Sequence, residues 1–160
     1  MPTISNVPFD QLQIGQTSEY AKTVTEQDIQ LFAVLSGDAN PVHLDPDFAA
    51  NTQFGERIAH GMLTGAVISA AIAMQMPGPG TIYLGQTLAF KRPVKIGDTV
   101  TVTLTVAEKH ATKPRATLDC VVTNQNGQVV VEGQANVMVP TESQTVEVPT
   151  LPSVSLQLQS

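Results

Sequence analysis

The stretch "GMLTGAVISAAIAMQM", Gly61 to Met76, decides the fold. It is apolar nearly all round and rich in Gly, Ala and Ser. A helix without a polar face must be buried on most sides. Its small residues let another backbone approach closely. Thr64, Ser69 and Gln75 interrupt the run, which falls short of a membrane span. Pro77, Gly78, Pro79 and Gly80 then break the chain.

Downstream of that break the pattern is β. "TIYLGQTLAFKRP" (81–93) places Ile82, Leu84, Leu88 and Phe90 on one face. "DTVTVTLTVAEK" (98–109) alternates Val100, Val102, Leu104 and Val106 against threonines, a strong period-2 signal. Residues 115–140 read as two more strands joined around Asn126-Gly127, a hairpin turn. Leu118, Cys120 and Val122 share one face there, so the single cysteine reads as a small core residue. One buried helix followed by antiparallel strands predicts an α+β arrangement, a curved sheet wrapped around the helix.

Upstream, "TSEYAKTV" (17–24) reads as a strand, and Thr25 with Asp28 forms a near capping box that opens a helix. Ile29, Phe32, Ala33 and Leu35 are its candidate apolar stripe, and Gly37 ends it. "SGDANPVHLD" (36–45) follows as a loop, then a short helix "DPDFAANTQ" (45–53) and a loop "FGERIAH" (54–60). The division expected is a domain over 1–140 and a tail or linker over 141–160, where core-forming residues are scarce.

The formal charge of -6 argues against binding nucleic acid or an anionic membrane, both of which need clustered cations. One cysteine excludes an internal disulfide. No charged segment followed by an apolar one opens the chain, so a secretory signal is not expected and a soluble cytoplasmic protein is.

Turn chemistry accounts for much of the 36–45 loop. Gly37 tolerates positive φ, Asn40-Pro41 marks a turn, and Asp45-Pro46 reads as an N-cap before a first-turn proline. For Asp38 and His43, turn formation and a partly buried histidine stand against a sharper reading. If both point into one cavity, they can hold one water, remove a proton from it and return one to a nearby carbon. Gly61 opens the buried helix, where backbone N–H groups lack partners and the dipole favours negative charge. Such a donor, aimed at a carbonyl oxygen, stabilises an enolate. Together these groups suit addition of water to a C=C bond conjugated to a carbonyl.

"SGDANPVHLDPDFA" resembles the hydratase-2 motif of (R)-specific enoyl-CoA hydratases, in the MaoC-like dehydratase group of hot-dog proteins. "ERIAHGML", "PGPGTIYLGQTLAFKRPVKIGDTV" and the closing strands match the same group in order, over roughly 10–140. The resemblance implies a hot-dog fold and a hydro-lyase that converts trans-2-enoyl-CoA to (R)-3-hydroxyacyl-CoA. It implies Asp38 and His43 as catalytic dyad, the Gly61 backbone as oxyanion donor and Ser69 as a further site residue. It also implies an acyl-CoA substrate and a homodimer with the site near the subunit interface. No cofactor is expected. A metal held by Asp38, His43 and His60 is disfavoured, since the chain lacks the local spacings of known zinc motifs; bracing of the loop is the favoured reading of His60. Lys91, Arg92 and Lys95 have two readings, a solvated strand edge or contacts to CoA phosphates. Two other functions stay in play: a hot-dog thioesterase, and a non-catalytic acyl-CoA-binding or dimerisation module of a larger enzyme such as a phosphate acetyltransferase fusion.

Overall fold

A computed structural model describes residues 1–159. In chain order the elements are β1 (Thr3–Ser5), β2 (Thr17–Thr23), α1 (Glu26–Ser36), α2 (Pro41–Leu44), α3 (Pro46–Ala50) and α4 (Gly61–Met74). Then follow β3 (Ile82–Gln86), β4 (Ala89–Phe90), β5 (Thr99–Lys109), β6 (Arg115–Thr123), β7 (Val129–Met138) and β8 (Thr145–Glu147). Six strands form one antiparallel sheet in the order β2-β5-β6-β7-β3, with β4 also on β7. It curves around α4, the α+β hot-dog arrangement expected. No helix among the described residues is long and apolar enough to cross a membrane.

The core follows from the alternation. Val100, Val102, Leu104 and Val106 of β5 are buried, as are Leu118, Cys120 and Val122 of β6. They meet Leu63, Val67, Ile68, Ala71 and Ile72 of α4 in one apolar cluster. The β6–β7 turn has Gly127 at φ 74, where a side chain would be strained. At Gly133 of β7 a Cβ would lie 1.8 Å from the Thr87 carbonyl oxygen, so glycine there lets the β3–β4 junction cross the sheet closely.

Four expectations need correcting. Leu35 is 84 % exposed, and the buried side of α1 is Ile29 and Ala33, with Phe32 packed against the core. The 81–93 segment is two short strands, with a register shift between Tyr83 and Gly85. Ile82, Leu84 and Phe90 face outward from it. The long helix is likewise buried along one side only, because Met62, Ala66 and Ala73 recur at helical spacing on a bare stripe beside β3. The 36–45 loop contains a helix of its own, α2, which one turn of sequence between two prolines does not announce.

Part of the 141–160 segment is ordered against the body. β8 pairs with β1 in register Thr3↔Glu147, Ile4↔Val146 and Ser5↔Thr145. Farther on, Gln27 Nε2 donates to the Val154 carbonyl at 2.9 Å. Backbone pairing can anchor such a segment even where apolar side chains are few.

Candidate active site

The end of α1 is built to turn sharply. Thr25 and Asp28 complete the capping box at its start, and at its end Gly37 takes the left-handed conformation, its N–H donating to Ala33 O at 2.8 Å. Ser36 Oγ then accepts the Asp38 N–H at 3.1 Å. Asp38 Oδ1 accepts the Asn40 N–H at 3.2 Å, and Asn40 Oδ1 accepts the Val42 N–H at 3.2 Å. Asn40 thereby caps α2, with Pro41 pre-set in its first turn. Asp45 caps α3 in the same way, its Oδ1 accepting from Asp47 N and Phe48 N.

The nested caps leave His43 on α2 facing inward toward Asp38. Its Nε2 lies 3.7 Å from Asp38 Oδ2, with the imidazole 10 % and the carboxylate 50 % exposed. That gap is too long for a direct hydrogen bond and suits one bridging water. His43 Nδ1 is 2.7 Å from the Ile58 carbonyl, which can only accept. The Nδ1 therefore carries the proton, and the Nε2 edge is the one turned to Asp38. Ile58 is itself fixed, donating its N–H to Val42 O at 3.3 Å and bridging to Lys95. Ala59 N–H donates to Val94 O at 2.7 Å, which ties the whole 58–60 segment to the body.

His60 lies underneath. Its Nε2–H donates to the Asp38 carbonyl at 2.9 Å, and its ring stacks on His43 with centroids 3.8 Å apart and planes 25° apart. It also lies against Phe32, centroids 4.9 Å apart. Its Nδ1 is buried without a partner, an arrangement that costs about 1–3 kcal/mol. Donor atoms of Asp38, His43 and His60 all fall within 4.8 Å of one another. A metal would need imidazole lone pairs converging at about 2.0–2.1 Å. Lone pairs lie in the ring planes, and two nearly parallel stacked rings do not aim at one ion. The trio does not make a ligand set, and the open polar gap lies between Asp38 and His43 alone.

Gly61, the first residue of α4, follows His60, which caps the helix with no side-chain hydrogen bond. The Gly61 N–H precedes the first intrahelical bond and sits at the positive end of the dipole. A Cβ here would come within 2.8 Å of the Phe90 ring, so glycine permits the close approach. His60, Gly61, Thr64, Phe90, Lys91 and Arg92 line a cavity of about 320 Å³.

Not every candidate gathers there: Asp38 and His43 are not among the lining residues, and His60, stacked on His43, is what joins the pair to this cavity. Lys91 pairs with Glu132 at 3.3 Å, and Arg92 donates to Val129 O at 3.2 Å, both at the cavity wall. Lys95 is paired with Glu56 at 3.6 Å and is not among the lining residues. Ser69, two turns into α4, lines a different cavity of about 550 Å³ with Met62, Gly65, Tyr83 and Leu84. Within one chain it does not meet Asp38 or His43. In that second cavity Tyr83 donates to Gln86 Oε1. Burial, helped by the nearby Cys120 thiol, pushes the Tyr83 hydroxyl up to about 12, so it remains a neutral donor. Sequence reasoning missed the Ile58 carbonyl, a backbone group with no residue-type signal, and the packing of Phe32 and Phe90. Of the groups that support the dyad, His60 was visible in advance, by its place before Gly61.

Comparison with known proteins bears on the family and the fold. The MaoC like domain family matches residues 10–141. An (R)-specific enoyl-CoA hydratase of Rhodospirillum rubrum is 51 % identical over 136 residues, covering 82 % of this chain and 91 % of that protein. A 3-hydroxybutyryl-CoA dehydratase of Methylorubrum extorquens is 43 % identical, covering 88 % of each chain. Among solved structures, the unliganded R-hydratase PhaJ1 from Pseudomonas aeruginosa superposes with a TM-score of 0.94 at 54 % identity, covering 98 % of this chain and 100 % of its own. The chain belongs to the MaoC like domain family.

Proposed function

We propose that the protein is an (R)-specific enoyl-CoA hydratase, a hydro-lyase that adds water to trans-2-enoyl-CoA. The observation that carries this reading is the 3.7 Å gap between Asp38 Oδ2 and His43 Nε2, with His60 linking that gap to the Gly61 N–H. The thioester carbonyl accepts from Gly61 N–H, which draws electron density toward oxygen and leaves the β-carbon electrophilic. Water held between carboxylate and imidazole loses a proton to the dyad and attacks that carbon. The dyad then returns a proton to the α-carbon, and the enolate collapses to the 3-hydroxyacyl thioester. Each positioned proton-transfer group contributes about 10²–10⁴ in rate, and one oxyanion donor about 10²–10³. The dyad acts as a unit, so the proton is assigned to the pair rather than to one member. The names of the relatives, hydratase and dehydratase, are the two directions of this one reaction.

This reading assigns CoA phosphate contacts to Lys91 and Arg92, which line the Gly61 cavity, ahead of Lys95, which does not and pairs with Glu56. A homodimer goes with this reading, supported by the bare stripe of Met62 and Ala66 beside Tyr83 and Leu84. A cytoplasmic location goes with the acyl-CoA substrate class. The 1–140 unit is proposed as the catalytic domain, with 141–160 as a segment laid against it.

Crotonyl-CoA tests the reading against thioesterase action. Hydration consumes the conjugated enoyl group, yields the (R)-3-hydroxy product and leaves the thioester whole. Stoichiometric free thiol would replace this reading with hydrolysis. Binding of the thioester without turnover would favour a non-catalytic module.

A further inference from the structure

The mechanism above gives His60 no step, yet this side chain touches the site at three points. Its Nε2–H is committed to the carbonyl of Asp38, its ring lies on His43, and its own carbonyl carbon is bonded to the nitrogen of Gly61. It is 3 % exposed and also packed against Phe32. We propose that His60 is a positioning residue for the hydration, its hydrogen bond to Asp38 O and its stack on His43 holding the two dyad groups at a fixed distance from the Gly61 N–H.

The choice of residue supports this. A phenylalanine would fill the same ring space without leaving a buried nitrogen unpartnered, as His60 Nδ1 is. Histidine is therefore a poor choice for packing alone. Its value lies in combining a flat ring with one N–H in its plane. The ring supports His43, and the N–H reaches a backbone oxygen of the residue that carries the carboxylate. Direct proton transfer is not its part, because its one N–H is already donated to a carbonyl. His43 is held independently by Ile58 O, and Asp38 by Ser36 Oγ and its own turn. His60 is the group shared by both.

The proposal rests on the hydratase reading, and two variants separate its parts. His60→Phe keeps the stack and loses the donor; His60→Gln keeps a donor that can reach the same carbonyl and loses the stack. With crotonyl-CoA, His60→Phe lowers kcat about 10- to 100-fold, as expected for a small misplacement. KM moves by less than about threefold, and Tm does not fall. His60→Gln recovers part of the lost kcat. With three histidines in the chain, the His43 imidazole N–H can be followed by NMR, and its exchange with solvent quickens in both variants. Wild-type kcat in folded His60→Phe overturns the proposal. An activity loss matched by an equal loss of folded protein also overturns it, since that is a structural role. If His60→Phe does not fold, His60→Gln decides, and unchanged kcat with unchanged His43 exchange overturns the proposal. A wild-type protein that fails to hydrate crotonyl-CoA overturns the hydratase reading instead. The exchange measurement then still decides whether His60 holds the pair.

Discussion

The β5–β6 hairpin and the 36–45 loop place side chains by different rules. In the hairpin, position alone settles a side chain's fate. Inward residues from Val100 to Val106 and from Leu118 to Val122 are buried, and the outward partners are mostly threonines, so every second residue does the same work. In the loop, residues of one type diverge. Asp45 Oδ1 accepts two helix N–H groups, while Asp38 Oδ1 accepts one and leaves Oδ2 turned to His43. The sheet holds the molecule together by burying apolar surface. The loop uses caps to hold two polar groups apart, close enough to share a water and too far to satisfy each other.

That difference predicts that activity and stability separate by region. Asp38→Asn or His43→Gln lowers crotonyl-CoA hydration about 10²–10⁴-fold. Thermal unfolding of Asp38→Asn changes by no more than about 0.5 kcal/mol, since the carboxylate is half exposed. Equal damage to both properties would break the comparison. Leu118→Ala in the sheet does the reverse. It opens a cavity in a fully buried site and costs about 2–5 kcal/mol by denaturant melts, with kcat per folded molecule unchanged. Asn40→Ala lies between these extremes. Loss of the α2 cap costs about 1 kcal/mol and lowers kcat, and Asn40→Asp restores most of both because a carboxylate caps equally well.

The smallest effect concerns pH. Burial raises the Asp28 carboxyl, but hydrogen bonds from the Thr25 backbone and hydroxyl, with the Lys22 ammonium at 3.2 Å, outweigh it and hold the group below its ordinary 3.8. A carboxyl lowered on folding stabilises the protein above its unfolded value and loses that contribution as pH falls through the folded one. Asp28→Asn is therefore less stable at neutral pH by about 0.5–1 kcal/mol, and the gap from wild type closes below about pH 3.8. A gap that widens in acid would contradict the assignment.

The sequence made the sheet legible because alternation is local, and the capping residues Thr25, Asn40 and Asp45 were legible because each acts on N–H groups two or three residues away. The open stripe of α4 was not. Apolar composition says that Met62 and Ala66 are fit to be covered, but not that this chain leaves them bare. Of the site, Asp38, His43 and Gly61 could be named from types and order. Their spacing could not, because it depends on Ile58 O and on the stack of His60 beneath His43, contacts across 15 and 17 positions in chain. Ser69 shows the limit from the other side. A matching residue on the right helix lies in a separate cavity of the chain.

The most direct measurement is a crystal structure of Asp38→Asn with crotonyl-CoA bound. The account predicts the thioester oxygen at about 2.7–3.1 Å from the Gly61 nitrogen, with the β-carbon facing the space between residue 38 and His43. A carbonyl turned away from α4, or an enoyl chain lodged in a cavity that opens on neither group, would contradict it.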